Sequence, residues 1–322
     1  MILAGDIGAT KALLRLAPRS GRGAAVEARF ASRDYPDFDS LLRAFLGLVA
    51  ARRGSRIAIE RACFGVAGPV AAGRSQLTYL PWRIDAGAVA RRFGIGEVRL
   101  LNDLAAAAHG ITALRRRDLA TLQAGHPLNA APRVVIAAGS GLGVAYTVPS
   151  PGQDLVVAGE GGHAAFAPRD DVQMELWRHL RKTLGQVSVE HIVSGPGLER
   201  IYRFLRLRRH RRAAPGPAPS ATEIAERARS GRSALAAEAL DLFISAYAGA
   251  AADHALAVLA RGGIFLAGGI APAILWRLRQ GDFVRAFNRC DVPQQLTRAM
   301  PVYVVREERV ALLGAMRLAA RP

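Results

Sequence analysis

Lysine is almost missing from this 322-residue chain. Of its 44 basic residues only Lys11 and Lys182 are lysines, and neither stands in a Gly-Lys-Ser/Thr sequence, because Lys11 follows Thr10 and Lys182 follows Arg181. That excludes a Walker-type phosphate loop. Cysteine is as scarce. Cys63 and Cys290 cannot build a disulfide framework or a four-thiolate zinc site, and they read as buried or free thiols in a reducing compartment. Aromatic residues make up 6% of the chain and none interleaves the two arginine-rich runs, 115–117 and 206–212, so there is no stacking platform for single-stranded nucleic acid. The formal charge of +18 therefore reads as an arginine-rich composition spread over solvated faces, with no specific nucleic-acid partner. Asp6 interrupts the first apolar run and no basic segment precedes it, so no signal peptide is expected. The longest apolar stretch, 233–260, carries Glu238, Asp241, Asp253 and His254, and reads as a buried helix rather than a membrane span. These absences place the protein in the cytoplasm, without a membrane partner.

What is present is a globular composition, 51% hydrophobic and 22% charged, long enough for one large or two ordinary domains. A short buried strand at 1–5 runs into Asp6-Ile7-Gly8-Ala9-Thr10, and 12–16 reads as the returning strand of a hairpin. A third strand is expected at 25–31, then a helix at 38–51 with Asp37 as N-cap. Strands at 57–66 and 97–101 follow, the second ending at Asn102-Asp103 with a helix start after it. The same grammar resumes about 130 residues on: a strand at 133–137, the loop Gly139-Ser140-Gly141-Leu142-Gly143, and a return at 144–148. Two strand–glycine loop–strand units suggest an internally duplicated architecture. Helices are expected at 171–183, 197–207, 222–229, 233–260, 273–280 and 310–319, with strands at 263–267 and 302–305. Strands alternating with helices predict an α/β fold with mixed sheets.

The chemistry concentrates in the loops. Glycine hairpins let backbone N–H groups approach an anion with no side chain in the way. In the first loop Asp6 could hold a magnesium ion, through water, because that ion dehydrates reluctantly. Thr10 and, in the second loop, Ser140 offer hydroxyls. Either loop alone is also what an unliganded tight turn looks like. Other readings fail on spacing: a Gly-x-Gly-x-x-Gly fingerprint from Gly139 meets Val144 at its third glycine, and a Gly-x-Ser-x-Gly elbow around Ser140 meets Ala138 and Leu142.

Asp103 lies where a strand ends and a helix begins, the place where open α/β sheets put ligands. The positive end of the helix favours a carboxylate there, and such a carboxylate can take a proton from an attacking hydroxyl. Capping alone would equally explain Asn102 or Asp103. Gly159-Glu160-Gly161-Gly162-His163 sets a carboxylate and an imidazole three residues apart on a tight backbone. A carboxylate accepting from two adjacent hydroxyls suits a sugar, whereas the glycines argue against a helical Glu-x-x-His metal site. A solvated turn is the competing reading. Glu190, in Ser188-Val189-Glu190-His191, adds a further acceptor or is a helix-surface residue.

Taken in order, these segments resemble the bacterial glucokinase family, within the hexokinase/actin/Hsp70 ATPase-fold superfamily. Gly5-Asp6-Ile7-Gly8-Ala9-Thr10 resembles its first phosphate motif and Leu101-Asn102-Asp103-Leu104 the segment with its catalytic base. Gly139 to Ala145 resembles the second phosphate motif. The sugar loop is matched by Gly159 to His163 followed by Phe166-Ala167-Pro168, and the next sugar-contacting segment by Ser188-Val189-Glu190. Gly263 to Ile270 resembles the adenosine motif, and Pro301-Val302-Tyr303 with Ala311-Leu312-Leu313-Gly314 the C-terminal return. The resemblance covers nearly the whole chain.

It implies a two-domain actin-like ATPase (ribonuclease H-like) fold hinged around a cleft, with residues 1–112 plus 302–322 in a small domain and 113–301 in a large one. It implies ATP-dependent phosphorylation of D-glucose to glucose 6-phosphate, with Asp103 as general base on the 6-hydroxyl. Asn102, Asp103, Glu160, His163 and Glu190 would bind the sugar. Gly5, Asp6, Gly8, Ala9, Thr10, Gly139, Ser140, Gly141, Gly268 and Gly269 would bind ATP, and Asp6 would hold Mg2+ through water. A homodimer is implied as well. Departures from the family pattern are Ala9 for a second glycine, Lys11 for asparagine, Tyr79 for asparagine and Ser140 for threonine. The zinc motif of the related repressor branch is missing, so no structural metal is expected. The alternatives are a kinase for mannose or an amino sugar, a sugar-sensing regulator without catalysis, and a nucleic-acid-binding protein.

Overall fold

The computed structural model describes residues 1–21, 23–54, 57–78, 80–152, 154–210, 218–289 and 294–321. Tyr79, Cys290 and the end of the second arginine run, 211–212, lie outside them. The chain divides into two compact units, Met1–Arg115 with Glu307–Pro322, and Arg116–Arg306.

The first unit contains β1 (Ile2–Ile7), β2 (Lys11–Ala17), β3 (Val26–Ala31), α1 (Phe38–Arg53), β4 (Arg61–Val66), β5 (Val70–Ala71), β6 (Arg74–Gln76), β7 (Arg83–Asp85), α2 (Ala86–Phe93), β8 (Glu97–Asn102) and α3 (Asp103–Gly110). The second contains β9 (Leu119–Gln123), β10 (Arg133–Ala138), β11 (Leu142–Val148), β12 (Leu155–Gly159), α4 (Asp171–Leu184), α5 (Gly195–His210), α6 (Ala221–Arg229), α7 (Ala234–Val258), β13 (Gly263–Ala267), α8 (Ile270–Ala273), α9 (Leu275–Leu278), α10 (Asp282–Phe287), α11 (Gln294–Ala299) and β14 (Val302–Val305). The chain then returns to the first unit as α12 (Val310–Ala319).

The main sheets share one plan. In the first the order is β3-β2-β1-β4-β8; in the second it is β12-β11-β10-β13-β14, with β9 added at the β14 edge. In each, an antiparallel meander of three strands is joined to two strands parallel to its innermost member. The duplication suggested by two glycine hairpins therefore extends to the whole topology. β14 hydrogen-bonds to β13 and β9, so the chain leaves the second unit after β14 rather than before residue 302.

The strands alternate as period-2 elements buried on both faces must. Leu3, Leu14, Leu16 and Phe64 pack with Phe38, Leu41 and Phe45 of α1 on one face of the first sheet. Ile2, Ala4, Leu13 and Cys63 pack with Leu312, Ala315 and Leu318 of α12 on the other. Burial in that layer pushes the Cys63 thiol up to about 12, so it is an inert packing group. The Asp37 side chain accepts from Ser40 N–H at 2.7 Å and starts α1 as expected. In the second unit α7 runs through the core with Phe243, Ile244 and Tyr247 buried. It is long and apolar enough to cross a membrane, but two-thirds of its apolar window is buried inside the protein, as a core helix requires.

Helices α3 and α12 approach at glycines. A Cβ on Gly314 would run into the Ala106 carbonyl, and one on Gly110 into the Val310 carbonyl. Gly314→Ala is expected to lower stability by about 1–3 kcal/mol through overpacking. The check is the denaturation midpoint at unchanged slope; an unmoved midpoint would contradict this close packing.

One expected helix is broken. The apolar period at 273–280 predicts a single helix, but α8 and α9 are separate turns meeting at Ile274, whose backbone leaves the helical region at φ −103°, ψ 15°. The strand expected from residue 57 begins only at Arg61, although Glu60 already continues its ladder on both sides: its N–H donates to Met1 O at 2.9 Å and its O accepts from Glu97 N–H at 3.0 Å.

Candidate active site

In the first unit the β1–β2 hairpin turns at residues 8–10, closed by Gly8 N–H donating to Lys11 O at 3.0 Å. Buried Ser32 clamps it from the turn after β3: its Oγ donates to Gly8 O at 2.7 Å and its N–H to Thr10 O at 3.1 Å. The pairing of Lys11 with Ala31 delivers Ser32 there, and nothing in the sequence around Ser32 signals it. Ala9 takes no positive φ, so its replacement of a glycine stores no backbone strain. Thr10 is exposed. Lys11 is exposed too, with Nζ 3.8 Å from the Glu308 carboxylate. Gly5, the first residue of the expected phosphate motif, lies just before the turn. It is buried inside β1, where a Cβ would lie 2.7 Å from Leu14 and 2.8 Å from Phe64, so its missing side chain serves the core.

Asp6 lies level with Gly65 on β4, which lies level with Leu101 on β8. A Cβ on Gly65 would sit 2.8 Å from the Ala106 Cβ and 3.8 Å from the Asp103 Cα. The glycine thus lets the first turn of α3 lie over the end of β4 and brings Asp103 towards Asp6. The two carboxylates feel each other. Burial first, and then the Asp103 charge, push the Asp6 carboxyl up to about 6, against an opposing pull from Lys11. Asn102 caps α3: its Oδ1 accepts from Leu104 N–H at 2.9 Å and Ala105 N–H at 3.3 Å, while Nδ2 reaches Gly68 O at 3.4 Å. Asp103 Oδ1 also accepts from Leu104 N–H at 2.9 Å, which orients the carboxylate.

In the second unit Gly139 N–H donates to Gly141 O at 2.8 Å and closes the loop between β10 and β11, leaving Ser140 exposed at its tip. Glu190 ties this loop to the Gly159–His163 segment. Its carboxylate accepts from Leu142 N–H at 2.8 Å, and its own N–H donates to Gly162 O at 2.8 Å. A Cβ on Gly141 would meet that carboxylate at 2.5 Å. Glu160 and His163 stand on a 3-10 turn, 80% and 64% exposed, with 3.8 Å between Oε2 and Nε2.

The turn is braced from below by two residues the sequence did not single out. Tyr146 Oη lies 2.7 Å from His254 Nδ1, and the ring's other side hydrogen-bonds the Gly161 backbone. Burial lowers the His254 pKa. A neutral ring with its proton on Nε2 satisfies both partners, Tyr146 donating to Nδ1 and Nε2–H donating to Gly161.

Parallel pairing sets Ala267 beside Ala137, so Gly268 emerges next to the second glycine loop. Its φ of +78° and its contact with the Ala138 backbone require glycine. Gly269 lines a cavity of about 350 Å³ walled by Leu198, Ala225, Ile270, Ile274 and Trp276, with Thr222 and Glu226 of α6 as polar neighbours. The first unit thus gathers Asp6, Gly8, Thr10, Asn102 and Asp103 at the carboxyl ends of its strands. The second gathers Gly139, Ser140, Gly141, Glu160, His163, Glu190, Gly268 and Gly269. The arginine runs are partly neutralised: Arg208 pairs with Glu175 and Arg209 with Glu238, both at 3.0 Å.

Two sheets of one topology, each opening on a glycine hairpin, define the actin-like ATPase fold of sugar kinases. A crystal structure of glucokinase from an Antarctic psychrotroph superposes with a TM-score of 0.86 at 29% identity, covering 99% of this chain and 98% of that one. Glucokinase from Balamuthia mandrillaris in complex with glucose shares the fold at 20% identity, with a TM-score of 0.80 over 99% of this chain and 93% of that one. The chain belongs to the glucokinase family, whose model matches residues 3–322. It is 37% identical to glucokinase of Nostoc sp. over 343 aligned positions, covering 100% of this chain and 99% of the relative. It is 34% identical to glucokinase of Neisseria meningitidis, covering 97% and 93%.

Proposed function

We propose that this chain transfers the terminal phosphoryl group of ATP to the 6-hydroxyl of glucose, with Asp103 as the general base. The observation that carries the reading is the Asp103 carboxylate, oriented by Leu104 N–H at the start of α3 beside Asp6 and the first glycine hairpin. Phosphoryl transfer needs alignment and charge neutralisation more than covalent help. A carboxylate that accepts the hydroxyl proton, with two loops of backbone N–H groups for the phosphates, supplies both. Gly8, Ala9 and Thr10 with Gly139, Ser140 and Gly141 would line the phosphates. Gly268 and Gly269, with the apolar cavity beside α6, would take the adenosine.

The donor set fits magnesium. Two carboxylates close enough to raise the Asp6 pKa leave negative charge that a divalent cation relieves. Among the described residues no group of three or more His, Cys, Asp or Glu side chains could hold a metal by itself. That suits an ion bound through one or two carboxylates, water and substrate phosphates. Asp6 would hold it through water, and when bound it neutralises phosphate charge.

Asn102, Glu160, His163 and Glu190 would hydrogen-bond the sugar. The Tyr146–His254 brace then controls how firmly Glu160 and His163 are presented. Tyr146→Phe removes one hydrogen bond of the brace and is expected to raise the glucose KM about 3–10-fold with a smaller change in kcat. An unchanged KM would separate the brace from sugar binding.

The reading is tested by sugar 6-phosphate formation from Mg-ATP across glucose, mannose, fructose and glucosamine. A kcat/KM highest for glucose supports it; a higher value for mannose or glucosamine moves the assignment to that hexose, and no turnover with any sugar removes it. The implied homodimer is checked by light scattering.

A further inference from the structure

Away from the glycine loops, the second unit holds a cavity of about 380 Å³ whose wall is dominated by guanidinium groups: Arg169, Arg277, Arg285 and Arg289. Two are fixed in place. Arg277 grips Asp241 through two bonds of 2.8 and 2.7 Å and reaches Gln280, using three of its five N–H donors. Arg169 donates to Gly249 O at 3.0 Å, Asp253 Oδ1 at 2.5 Å and Arg289 O at 3.3 Å. These side chains are only 24% and 22% exposed, so their positions are set before any ligand arrives. The other two are exposed. Among the described residues Arg285 pairs only with Asp282, and Arg289 forms no ion pair. Among the described residues, Asp241, Asp282 and Asp253 leave the four guanidinium groups with an excess of positive charge. Arg285 and Arg289 also line an adjoining cavity of about 330 Å³ whose described residues add Arg298 and no carboxylate.

We infer that this cavity is a binding site for a phosphate monoester of a small polyol, separate from the glycine-loop site. Convergent arginines with uncommitted N–H donors match the three oxygens of a phosphate better than lysines would. The volume exceeds what a bare phosphate fills and falls within the range of small-molecule sites. Apart from Ala286 the described lining residues are polar or charged, with the Ser245 hydroxyl and carboxylates available to hydroxyl groups and no aromatic ring among them on which a base could stack. A sugar phosphate fits that chemistry and a nucleotide does not. The site also touches the sugar loop's support. Arg169 directly follows Phe166-Ala167-Pro168, and its partner Asp253 adjoins His254, which braces Gly161. An anion that competes with Asp253 for Arg169 therefore acts on the segment beneath Glu160 and His163.

The test is calorimetric titration of the full chain, saturated with glucose and a non-hydrolysable ATP analogue, with ribose 5-phosphate, inorganic phosphate and ribose. Ribose 5-phosphate is expected to bind, and more tightly than inorganic phosphate; ribose is expected not to bind. Arg285→Ala/Arg289→Ala, which removes two exposed side chains, is expected to weaken ribose 5-phosphate at least about tenfold. Its melting temperature and its turnover without ester should match those of the parent chain. No binding to the parent chain, equal affinity for inorganic phosphate, or undiminished affinity in the double variant would each overturn the assignment.

Discussion

Asp103→Ala is expected to lower the turnover of glucose by roughly 10²–10⁴, the usual contribution of a positioned general base. The fold should tolerate the change. Asp103 shares the Leu104 N–H with Asn102, and Asn102 also holds Ala105 N–H, so the cap of α3 survives without the Asp103 carboxylate. The neighbouring layer is apolar, with Ala106 packed over Gly65. Asp103→Asn separates base from shape. The amide keeps the size and can still accept from Leu104 N–H, but it cannot take a proton at working pH. Its turnover is expected to fall nearly as far as that of the alanine variant. The measurement is kcat in a coupled assay, with glucose affinity followed by calorimetry. A variant that binds glucose and phosphorylates it at the parental rate would end the role given to Asp103.

Much of this site was legible because its chemistry sits at chain reversals. The runs at 1–5 and 12–16 are short, apolar and separated by glycine-containing turns, a pattern few other structures satisfy. The second hairpin repeats it, and the observed strands, β1 with β2 and β10 with β11, follow those limits closely. Asn102-Asp103 stood out for the same local reason, a polar pair between an apolar strand and an alanine-rich helix.

Contacts created by register were not legible. Ser32 holds the first loop only because β3 pairs with β2, and the Glu190 carboxylate reaches Leu142 across 48 positions of sequence. His254 lies on the apolar helix α7, where its spacing reads as core; its link to Gly161 and Tyr146 exists only once α7 packs beneath the sheet. Strand β12 escaped because Leu155 and Val157 are exposed, so it lacks the buried alternation that marks the other strands. The family resemblance pointed to Glu160, His163 and Glu190 as a set. What the geometry adds is the tie between them: one residue, Glu190, bonded by its side chain to one loop and by its backbone to the other.

Asp6 is where function and stability are expected to oppose each other most. Its carboxyl is raised from 3.8 to about 6, chiefly by burial and then by Asp103. In the unfolded chain it releases its proton near 3.8, while in the fold it holds the proton until about 6. Across that window the folded state binds more protons, so this group's contribution to stability is complete below about pH 4 and is lost as pH rises through 6. A shift of that size corresponds to about 3 kcal/mol of destabilisation above pH 7 in the absence of cation. Asp6→Asn carries no such penalty. Without nucleotide or magnesium it is expected to be more stable than the parent chain at pH 7.5, by up to about 3 kcal/mol, with the advantage shrinking as pH falls towards 4. The same variant is expected to lose most of its kinase activity, because the carboxylate proposed to hold magnesium through water is gone. Denaturation midpoints at pH 4.5 and 7.5, beside turnover with Mg-ATP, read both effects. A variant less stable than the parent at pH 7.5 would show that the Asp6 carboxylate is not strained in the fold, and full activity would remove Asp6 from the magnesium site. Gly65 leaves room for α3 to set Asp103 near Asp6, so the Asp103 charge adds to the burial that already raises the Asp6 carboxyl, and the same pair of carboxylates is the charge proposed to meet magnesium.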